Sequence, residues 1–437
     1  RHPGMTASYL PIGMSETVQA GARQKILKSM ACIFGMLIAT YFIASHLMRN
    51  VHTDSTVSRD ARADFKSLSV SSHNDTFRPP IGGLLKCNKR SRVSSPSSPI
   101  DANEVRPADI KYIAALGDSF ATGFLSYSGH AVPGDSARNV VGNSFITGGD
   151  RELDTHLTLA NIFRVLNPNI TGLSTGLGTN EANTGMNVAA PGMWMDDLQR
   201  QARELIRRLE KYSAESLRED WKLINIFIGG RDISGFCMGD GDTMKQEYKS
   251  NLTESIEILQ TALPKTIISI IGIPNFNFLW GAGSIIEKSN DMLMGGFALP
   301  CNFANYELLI QRRIEEYREA NIEIVSESEK NSRKDHVVII QYIFDHLWEP
   351  PRKPDGSFNI EFYAQDAFHM SNYGNSLVAK QLWNQLIAPS HSKITNNEMF
   401  NDESPELACP DMRCPFIRTP SNSVSCHMSD ENVVAGV

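Results

Sequence analysis

Five stretches of the chain are almost continuously apolar, and longer segments with helical periodicity separate most of them. The short runs are IKYIAAL (110–116), MNVAA (186–190), KLINIFI (222–228), TIISIIG (266–272) and HVVIIQY (336–342). Apolar runs of this length without polar alternation predict strands that are buried on both faces. The pattern is typical of a parallel sheet that is covered by helices.

The segments between the runs predict the covering helices. Residues 196–212, 247–263 and 302–322 carry apolar residues at helical spacing and charged residues on the opposite face. Strands that alternate with such helices form βαβ units, so the sequence predicts an α/β domain. In such folds the chemistry gathers beyond the carboxyl ends of the strands. Residues directly after the predicted strands are therefore the first candidates for a site.

One further apolar stretch, residues 29–48 (SMACIFGMLIATYFIASHLM), contains no charged residue. About 20 such residues suffice for a helix to cross a bilayer. The stretch is preceded by Arg23, Lys25 and Lys28, and an excess of positive charge marks the cytoplasmic side. We therefore expect a single-pass type II anchor with the body of the protein in the lumen or outside the cell. The alternative is a cleaved signal peptide and a secreted protein, because small residues end the stretch.

Composition divides the chain into five parts. A cytoplasmic tail (1–28) and the membrane-spanning stretch (29–48) precede a linker (49–106) that is rich in Ser, Asp, Arg and Pro. The linker has too little apolar content for a core of its own. The α/β domain is predicted over 107–390, and an irregular tail that contains cysteines follows over 391–437.

Sequons and cysteines agree with an extracellular or lumenal body. Glycosylation sequons begin at Asn74, Asn169 and Asn251. Besides the cysteine inside the predicted span, the chain has Cys87, Cys237, Cys301, Cys409, Cys414 and Cys426. Three disulfides with 15 alternative pairings are possible in an oxidising compartment. No two cysteines have the CxxC spacing of a zinc site, so no metal is expected.

The charge balance excludes one class of partner. Lys and Arg number 42 and Asp and Glu number 49, which gives a formal net charge of −7. This balance lacks the basic footprint that holds a nucleic-acid backbone. Nucleic acid is therefore not an expected partner.

A serine and a carboxylate–imidazole pair are the candidates for chemistry. Ser119 follows the first predicted strand in the sequence Leu-Gly-Asp-Ser, where glycine permits a tight turn that exposes the hydroxyl. Asp366 and His369 stand three residues apart before a helical run, a spacing at which the carboxylate can orient the imidazole as a base. The adjacent pair Asp345-His346 is less suitable, because neighbours in an extended segment point to opposite sides.

Two glycine-containing strand ends offer backbone N–H groups for an oxyanion hole. One is the sequence Asn-Val-Ala-Ala-Pro-Gly, which ends at Gly192, and the other is Ile-Gly-Gly-Arg-Asp, which includes Arg231. Donors at such positions can stabilise the negative charge of a tetrahedral intermediate. The chain thus carries a serine, a glycine and a Gly-Gly pair at three strand ends, followed by an Asp-x-x-His pair. That these four features occur in this order by chance is improbable.

The chain resembles the SGNH or GDSL hydrolases, and within them the phospholipase B group. RPADIKYIAALGDSFATG (106–123), NVAAPGMWMDDLQRQARELI (187–206), WKLINIFIGGRDISGFC (221–237) and QDAFHMSNYGNSLVAKQLWNQL (365–386) are similar to blocks of that group. The similarity extends from about residue 78 to about residue 423. It implies a three-layer α/β/α sandwich with a mostly parallel, flavodoxin-like sheet.

The resemblance also implies roles for the candidate residues. Ser119 would be the nucleophile, His369 the base and Asp366 the residue that orients it. The oxyanion hole would consist of the backbone N–H groups of Ser119 and Gly192 and the side chain of an asparagine. This chain departs from the pattern there, because Arg231 occupies the position of that asparagine. Loss of one oxyanion donor typically lowers kcat by about 10²- to 10³-fold.

The function implied is hydrolysis of acyl esters in glycerophospholipids or lysophospholipids through an acyl-enzyme, without a cofactor. The membrane would be a partner through the N-terminal anchor. The apolar residues of 276–300 allow three interpretations, which are an acyl groove, a contact with the membrane and ordinary core packing. Arg231 also allows a catalytically impaired homologue that binds lipid or a protein partner. A third possibility is an esterase for other lipid esters.

Overall fold

The structure is a computed structural model that describes residues 78–126, 139–235, 243–275, 307–330, 333–345, 347–364, 366, 368–393 and 397–426. The predicted membrane-spanning stretch 29–48 and the apolar segment 276–300 lie outside these residues. No helix within the described ranges is long and apolar enough to cross a membrane.

A sheet of four parallel strands forms the centre of the described structure. The strands are hydrogen-bonded in the order β1-β2-β3-β4. Their bounds are Ile110–Gly117 for β1, Trp221–Phe227 for β2, Thr266–Ile271 for β3 and His336–Gln341 for β4. Every residue of β2 and β3 is buried, which explains why these segments are apolar without alternation. Four of the five predicted strands are thus confirmed, with ends within one residue of those predicted.

The remaining predicted strand, 186–190, is an irregular segment at the edge of the sheet. It makes one isolated parallel bridge, between Asn187 and Ala115, and the Val188 N–H donates to the Ala115 carbonyl at 2.8 Å. The Asn187 side chain accepts the N–H of Ala189 at 3.1 Å. A side chain that bonds its own backbone competes with a regular ladder, so the strand does not extend. If this segment is counted as the second strand in chain order, the order across the sheet is 2-1-3-4-5, as in flavodoxin-like folds.

Helices connect the strands and flank the sheet. In the described ranges the α-helices are α1 (Lys89–Arg92), α2 (Leu159–Leu166), α3 (Glu181–Thr184), α4 (Leu198–Leu209), α5 (Ala214–Glu219), α6 (Gly230–Gly235), α7 (Met244–Ala262), α8 (Glu307–Lys330), α9 (Asn372–Ile387) and α10 (Pro420–Val424). The three helices predicted between strands are observed as α4, α7 and α8 with displaced ends. Their apolar stripes face the sheet, as their periodicity predicted.

The helices form two layers, one on each face of the sheet. Tyr112, Ala114 and Leu116 of β1 belong to the apolar cluster that packs against α4, α7 and α8. Ile113 and Ala115, which alternate with them, belong to the cluster that packs against α2 and α9. Successive strand residues point to opposite faces, so a continuous apolar strand fills both clusters. The result is a helix–sheet–helix arrangement with the sheet in the middle.

The described part of the predicted linker, residues 78–106, packs against the body. Leu85 and Val105 are buried in the same cluster as α9, and so is Ile417 of the tail. A disulfide between Cys87 and Cys409 joins the two segments. Few apolar side chains are needed here because the cross-link and the existing core hold the segment in place.

A second disulfide joins Cys414 and Cys426 within the tail. Cys237 and Cys301 lie outside the described residues. Two of the pairings left open by the sequence are therefore assigned.

The predicted sequons differ in their surroundings. Asn169 is exposed after α2. Asn251 lies within α7, where its side chain donates to the Glu247 carbonyl at 2.8 Å and accepts from Gln199 at 2.6 Å. Asn74 lies outside the described residues. Of the two sequon asparagines that the structure describes, Asn169 is the more exposed.

We predict that Gly117→Ala destabilises the fold more than an ordinary glycine substitution in a turn. Gly117 has φ +144°, and a Cβ there would lie 2.0 Å from the Phe227 carbonyl oxygen, so β1 and β2 would have to separate. We expect the free energy of unfolding to fall by about 3 kcal/mol. Urea unfolding of the purified protein measures this loss.

Gly356→Ala is the matched control. Gly356 has φ +85°, but a Cβ there would have nothing within 4 Å. It therefore tests backbone strain without a clash, and we expect a loss of about 1 kcal/mol. Equal losses for the two variants would contradict the close approach of β1 and β2.

Candidate active site

Ser119 lies on the turn that leaves β1 at the carboxyl edge of the sheet. It opens a 3-10 turn that Asp118 caps by accepting the N–H of Phe120 at 3.0 Å. The Gln201 side chain of α4 accepts the N–H of Gly117 at 2.7 Å and donates to its carbonyl at 2.9 Å. The backbone on both sides of Ser119 is therefore fixed.

Asp366 and His369 lie in the loop between β4 and α9. One oxygen of the Asp366 carboxylate accepts the N–H groups of Phe368 at 3.1 Å and His369 at 3.0 Å, which closes a tight turn. The Ala364 N–H donates to the His369 carbonyl at 2.7 Å. Ser371 then caps α9 by accepting the N–H of Gly374 at 3.0 Å. Local hydrogen bonds thus hold the loop before the helix begins.

The fold brings these three side chains into one hydrogen-bonded chain. Nε2 of His369 lies 2.7 Å from Oγ of Ser119, and Nδ1 lies 2.5 Å from Oδ2 of Asp366. The exposed fractions are 7% for Ser119, 2% for His369 and 7% for Asp366. A serine, an imidazole and a carboxylate at these distances, away from bulk water, have the geometry of a nucleophile, a base and an orienting acid.

Aromatic rings and charge define the surroundings of His369. The rings of Phe120, Phe124 and Phe368 have centroids 5.0, 4.9 and 5.0 Å from that of the imidazole. Burial alone would raise the pKa of Asp366, but the charge of His369 and the hydrogen bonds to the carboxylate lower the pKa below its ordinary value. Asp366 is therefore ionised at neutral pH and stabilises positive charge on the imidazole.

Gly192 lies at the same edge of the sheet. The Ala190 N–H donates to the Gly117 carbonyl at 3.2 Å, which holds the segment before Gly192 beside the turn of Ser119. Gly192 has φ +78°, and a Cβ there would lie 2.7 Å from Nη1 of Arg231. The missing side chain therefore leaves room for a guanidinium against the backbone of this loop.

Arg231 stands at the start of α6, directly after β2, and its side chain is exposed. Its guanidinium carbon lies 4.7 Å from the ring centre of Trp194, within the range of a cation–π contact. The structure thus brings Gly192 and Arg231 together at the rim of the site.

Asn187 connects the edge segment to the turn after β1. Its side-chain amide donates to the Ala121 carbonyl at 2.9 Å and to the Thr147 hydroxyl at 2.8 Å. The residue is buried. Its contacts hold the segment that leads to Gly192 against the turn that carries Ser119.

Two buried carboxylates that the sequence analysis did not single out also belong to this region. Asp118 precedes the serine, and Asp232 accepts the Met195 N–H at 3.1 and 3.2 Å through its two oxygens. Burial raises the pKa of Asp118 to about 6. Burial, with the nearby charge of Asp118, raises the pKa of Asp232 to about 7. Both stand in motifs already quoted, Asp118 in Leu-Gly-Asp-Ser and Asp232 in Ile-Gly-Gly-Arg-Asp, and this was the available signal.

We predict that Asp232→Asn stabilises the protein more at pH 8 than at pH 5. Between its ordinary pKa of about 3.9 and its folded pKa of about 7, the folded state holds a proton that the unfolded state has released. The contribution of Asp232 to the free energy of unfolding therefore falls as pH rises through this window. Asparagine keeps an acceptor for the Met195 N–H but does not titrate.

Thermal unfolding at both pH values measures the effect. Asp154→Asn is the control, because it removes the charge of an exposed aspartate that does not contribute to the raised pKa of Asp232. A difference in midpoint between Asp232→Asn and the unmodified protein that is the same at pH 5 and pH 8 would contradict the prediction.

The chain is similar to a described protein family and to several known proteins. The family model described as GDSL-like lipase/acylhydrolase matches residues 113–382, from within β1 to within α9. Three similar proteins are named "Phospholipase B1, membrane-associated". The protein from Homo sapiens is 29% identical over 335 residues, that from Mus musculus 31% over 347, and that from Rattus norvegicus 30% over 346. These alignments cover 76%, 75% and 75% of this chain.

The chain spans less than a quarter of the length of these relatives, 22% for the human and mouse proteins and 23% for the rat protein. The family match, by contrast, covers more than half of this chain and includes Ser119, Gly192, Arg231, Asp366 and His369. The chain therefore belongs to the GDSL-like lipase/acylhydrolase family.

Proposed function

We propose that the protein hydrolyses acyl esters of glycerophospholipids and lysophospholipids, with Ser119 as nucleophile, His369 as base and Asp366 as the orienting carboxylate. The observation that carries this proposal is the pair of contacts at His369, 2.7 Å to Ser119 and 2.5 Å to Asp366. These are hydrogen-bond distances suited to proton transfer from a hydroxyl to an imidazole.

In the first half of the reaction, Ser119 Oγ attacks the ester carbonyl carbon and its proton moves to Nε2 of His369. The Nδ1–H of His369 donates to Asp366, which stabilises the imidazolium. The bond between the carbonyl carbon and the alcohol oxygen then breaks, and His369 gives its proton to the leaving oxygen. The products of this half are a free alcohol and an acyl-enzyme on Ser119.

In the second half, water attacks the acyl carbon while His369 accepts one of its protons. The bond to Ser119 breaks, the proton returns to Oγ, and a fatty acid leaves. The negative oxygen in both halves is stabilised by the N–H groups of Ser119 and Gly192. The Ser119 N–H is the first of its turn, where N–H groups have no acceptor within the turn.

The substrate class rests on the family and on the names of the relatives, which are phospholipases. Residues 29–48 are the proposed membrane anchor, with the catalytic body in the lumen or outside the cell. The two disulfides fit an oxidising compartment. Asn169, which is exposed, is the preferred candidate for glycosylation.

We predict that Ser119→Ala and His369→Ala each lower fatty-acid release from lysophospholipid by at least about 10³-fold. Neither variant should react with a fluorescent fluorophosphonate probe, because labelling needs an activated serine. Probe labelling and fatty-acid release are measured on the same samples of purified protein. His391→Ala, which removes an exposed histidine after α9, should retain both activities.

The outcomes separate the candidate functions. Labelling that requires Ser119 and His369, together with fatty-acid release, supports the hydrolase. Hydrolysis of other esters but not of phospholipid would favour an esterase with a different substrate. A folded protein that is not labelled would contradict the proposal and favour a binding role.

We also predict that Arg231→Asn raises kcat on phospholipid by about tenfold or more. An asparagine at this position would restore the neutral amide donor of the family pattern, and one oxyanion donor contributes about 10²- to 10³-fold. Arg231→Ala is the control, because it removes the guanidinium without adding an amide. An unchanged kcat in Arg231→Asn would contradict a loss of oxyanion stabilisation at this position.

A further inference from the structure

We infer that the peptide bond between Arg90 and Ser91 is a proteolytic processing site for an endoprotease that recognises paired basic residues. The Cys87–Cys409 disulfide then holds the two products together. In the reaction, water adds across the peptide bond, which leaves a carboxylate on Arg90 and an amino group on Ser91. The inference goes beyond the proposed function, and its test does not depend on ester hydrolysis.

The short helix α1 carries three basic side chains within its four residues, Lys89, Arg90 and Arg92. Lys89 and Arg90 are exposed, and Arg92 is half-buried. In the part of the chain that the structure describes, none of these three side chains forms an ion pair or a hydrogen bond. A protease whose binding pockets carry carboxylates can therefore pair with these cations without first breaking contacts of their side chains.

The other pairs of adjacent basic residues in the chain are held by carboxylates. These pairs are 207–208, 312–313, 333–334 and 352–353. In each of them an arginine forms an ion pair with an acidic side chain at 2.6 to 2.9 Å. Arg208 and Arg313, in the first two pairs, are also buried within the long helices α4 and α8. All five pairs lie in the described ranges, and among them Lys89-Arg90 alone presents two exposed cations without a carboxylate partner.

Residues 88–94 form a mostly exposed loop between two fixed points. At one end, Cys87 is joined to the tail of the protein by its disulfide. At the other end, the N–H and the hydroxyl of Ser95 donate to the carboxylate of Asp109 at 2.7 and 2.8 Å. The chain on either side of the loop therefore stays in place when the loop is cut. Exposed loops of this kind are the preferred sites of proteolytic nicking.

The turn that contains the bond is held by a few local hydrogen bonds. The Asn88 carbonyl accepts the N–H of Ser91 at 3.1 Å and its hydroxyl at 2.9 Å. The Asn88 side chain accepts the N–H of Arg90 at 3.0 Å. Ser91 is buried, so the turn must open before the bond can enter a protease. A single helical turn is marginally stable by itself, and its opening does not require the core to unfold.

The fragment that ends at Arg90 stays on the body after the cut. Cys87 belongs to this fragment and carries the disulfide to the tail. The N–H of Leu84 also donates to the carbonyl of Pro405 at 2.6 Å, which pairs the fragment with the tail. Residues 29–48, the proposed anchor, lie in the same fragment. On that proposal, cleavage alone does not release the body from the membrane.

The experiment treats the purified full chain, in detergent, with a limiting amount of kexin, a serine endoprotease that cleaves after Lys-Arg. Denaturing gels are run with and without reductant, and mass spectrometry identifies the new amino terminus. We expect a new terminus at Ser91. The reducing gel should show two fragments, residues 1–90 and 91–437, and the non-reducing gel should show one band.

Variants make the result specific. Arg90→Gln should slow cleavage by about tenfold or more, because it leaves a carboxylate of the protease without its cation. Arg333→Gln is the matched control, because it removes an exposed cation from another basic pair, and it should leave the rate unchanged. Cys87→Ser combined with Cys409→Ser should give two bands without reductant. The unmodified chain tests the role of the disulfide even where this double variant does not fold, because both gels are denaturing.

Three results would overturn the inference. One is a bond between Arg90 and Ser91 that stays intact while kexin cleaves a Lys-Arg peptide in the same solution. Another is cleavage of the folded chain at one of the other four basic pairs before Lys89-Arg90. The third is a pair of separate bands from the unmodified chain without reductant, which would show that the disulfide does not hold the products together.

Discussion

The hydrogen bond between His369 and Ser119 joins two residues that are 250 positions apart in the chain. Its 2.7 Å length requires that both partners be fixed independently. On one side, β1 is pressed against β2 at Gly117 and held by Gln201 of α4. On the other side, the Asp366 turn and the start of α9 hold the imidazole. Most of the sheet and of both helix layers is formed by the chain between these two residues. The packing of the whole domain therefore sets a distance that neither segment sets alone.

The same region contains carboxylates whose pKa values are shifted in opposite directions. Asp366 is buried beside His369, and that pairing outweighs burial, so it stays charged where a positive imidazole needs a partner. Burial dominates at Asp118 and Asp232, whose pKa values rise to about 6 and about 7. Both carboxylates accept hydrogen bonds from backbone N–H groups of turns, Asp118 from Phe120 and Asp232 from Met195. One carboxylate is thus suited to chemistry, and the other two connect the turns around it.

Arg231 places a positive charge at the rim of the site, beside Trp194 and Gly192. The residue after it, Asp232, accepts the N–H of Met195, so the turn from β2 into α6 is connected to the loop that follows the edge segment. The longer side chain then stacks on Trp194, over the small Gly192. A position that holds a neutral amide in the family pattern holds a cation at the mouth of the site in this chain.

The sequence by itself determined the four regular strands, the helices between them and the identity of the Ser119, Asp366 and His369 cluster. Strand burial and helix periodicity depend on local residue order. Ser119 directly follows a strand, and Asp366 and His369 stand just before a helix. Only the tertiary structure decided the irregular edge at Asn187, the Cys87–Cys409 and Cys414–Cys426 pairings, and the packing of residues 78–106. It also decided the burial of Asp118 and Asp232 and the stacking of Arg231 on Trp194. These features depend on contacts between residues far apart in the chain, and no local pattern specifies which distant side chain will fill a given space.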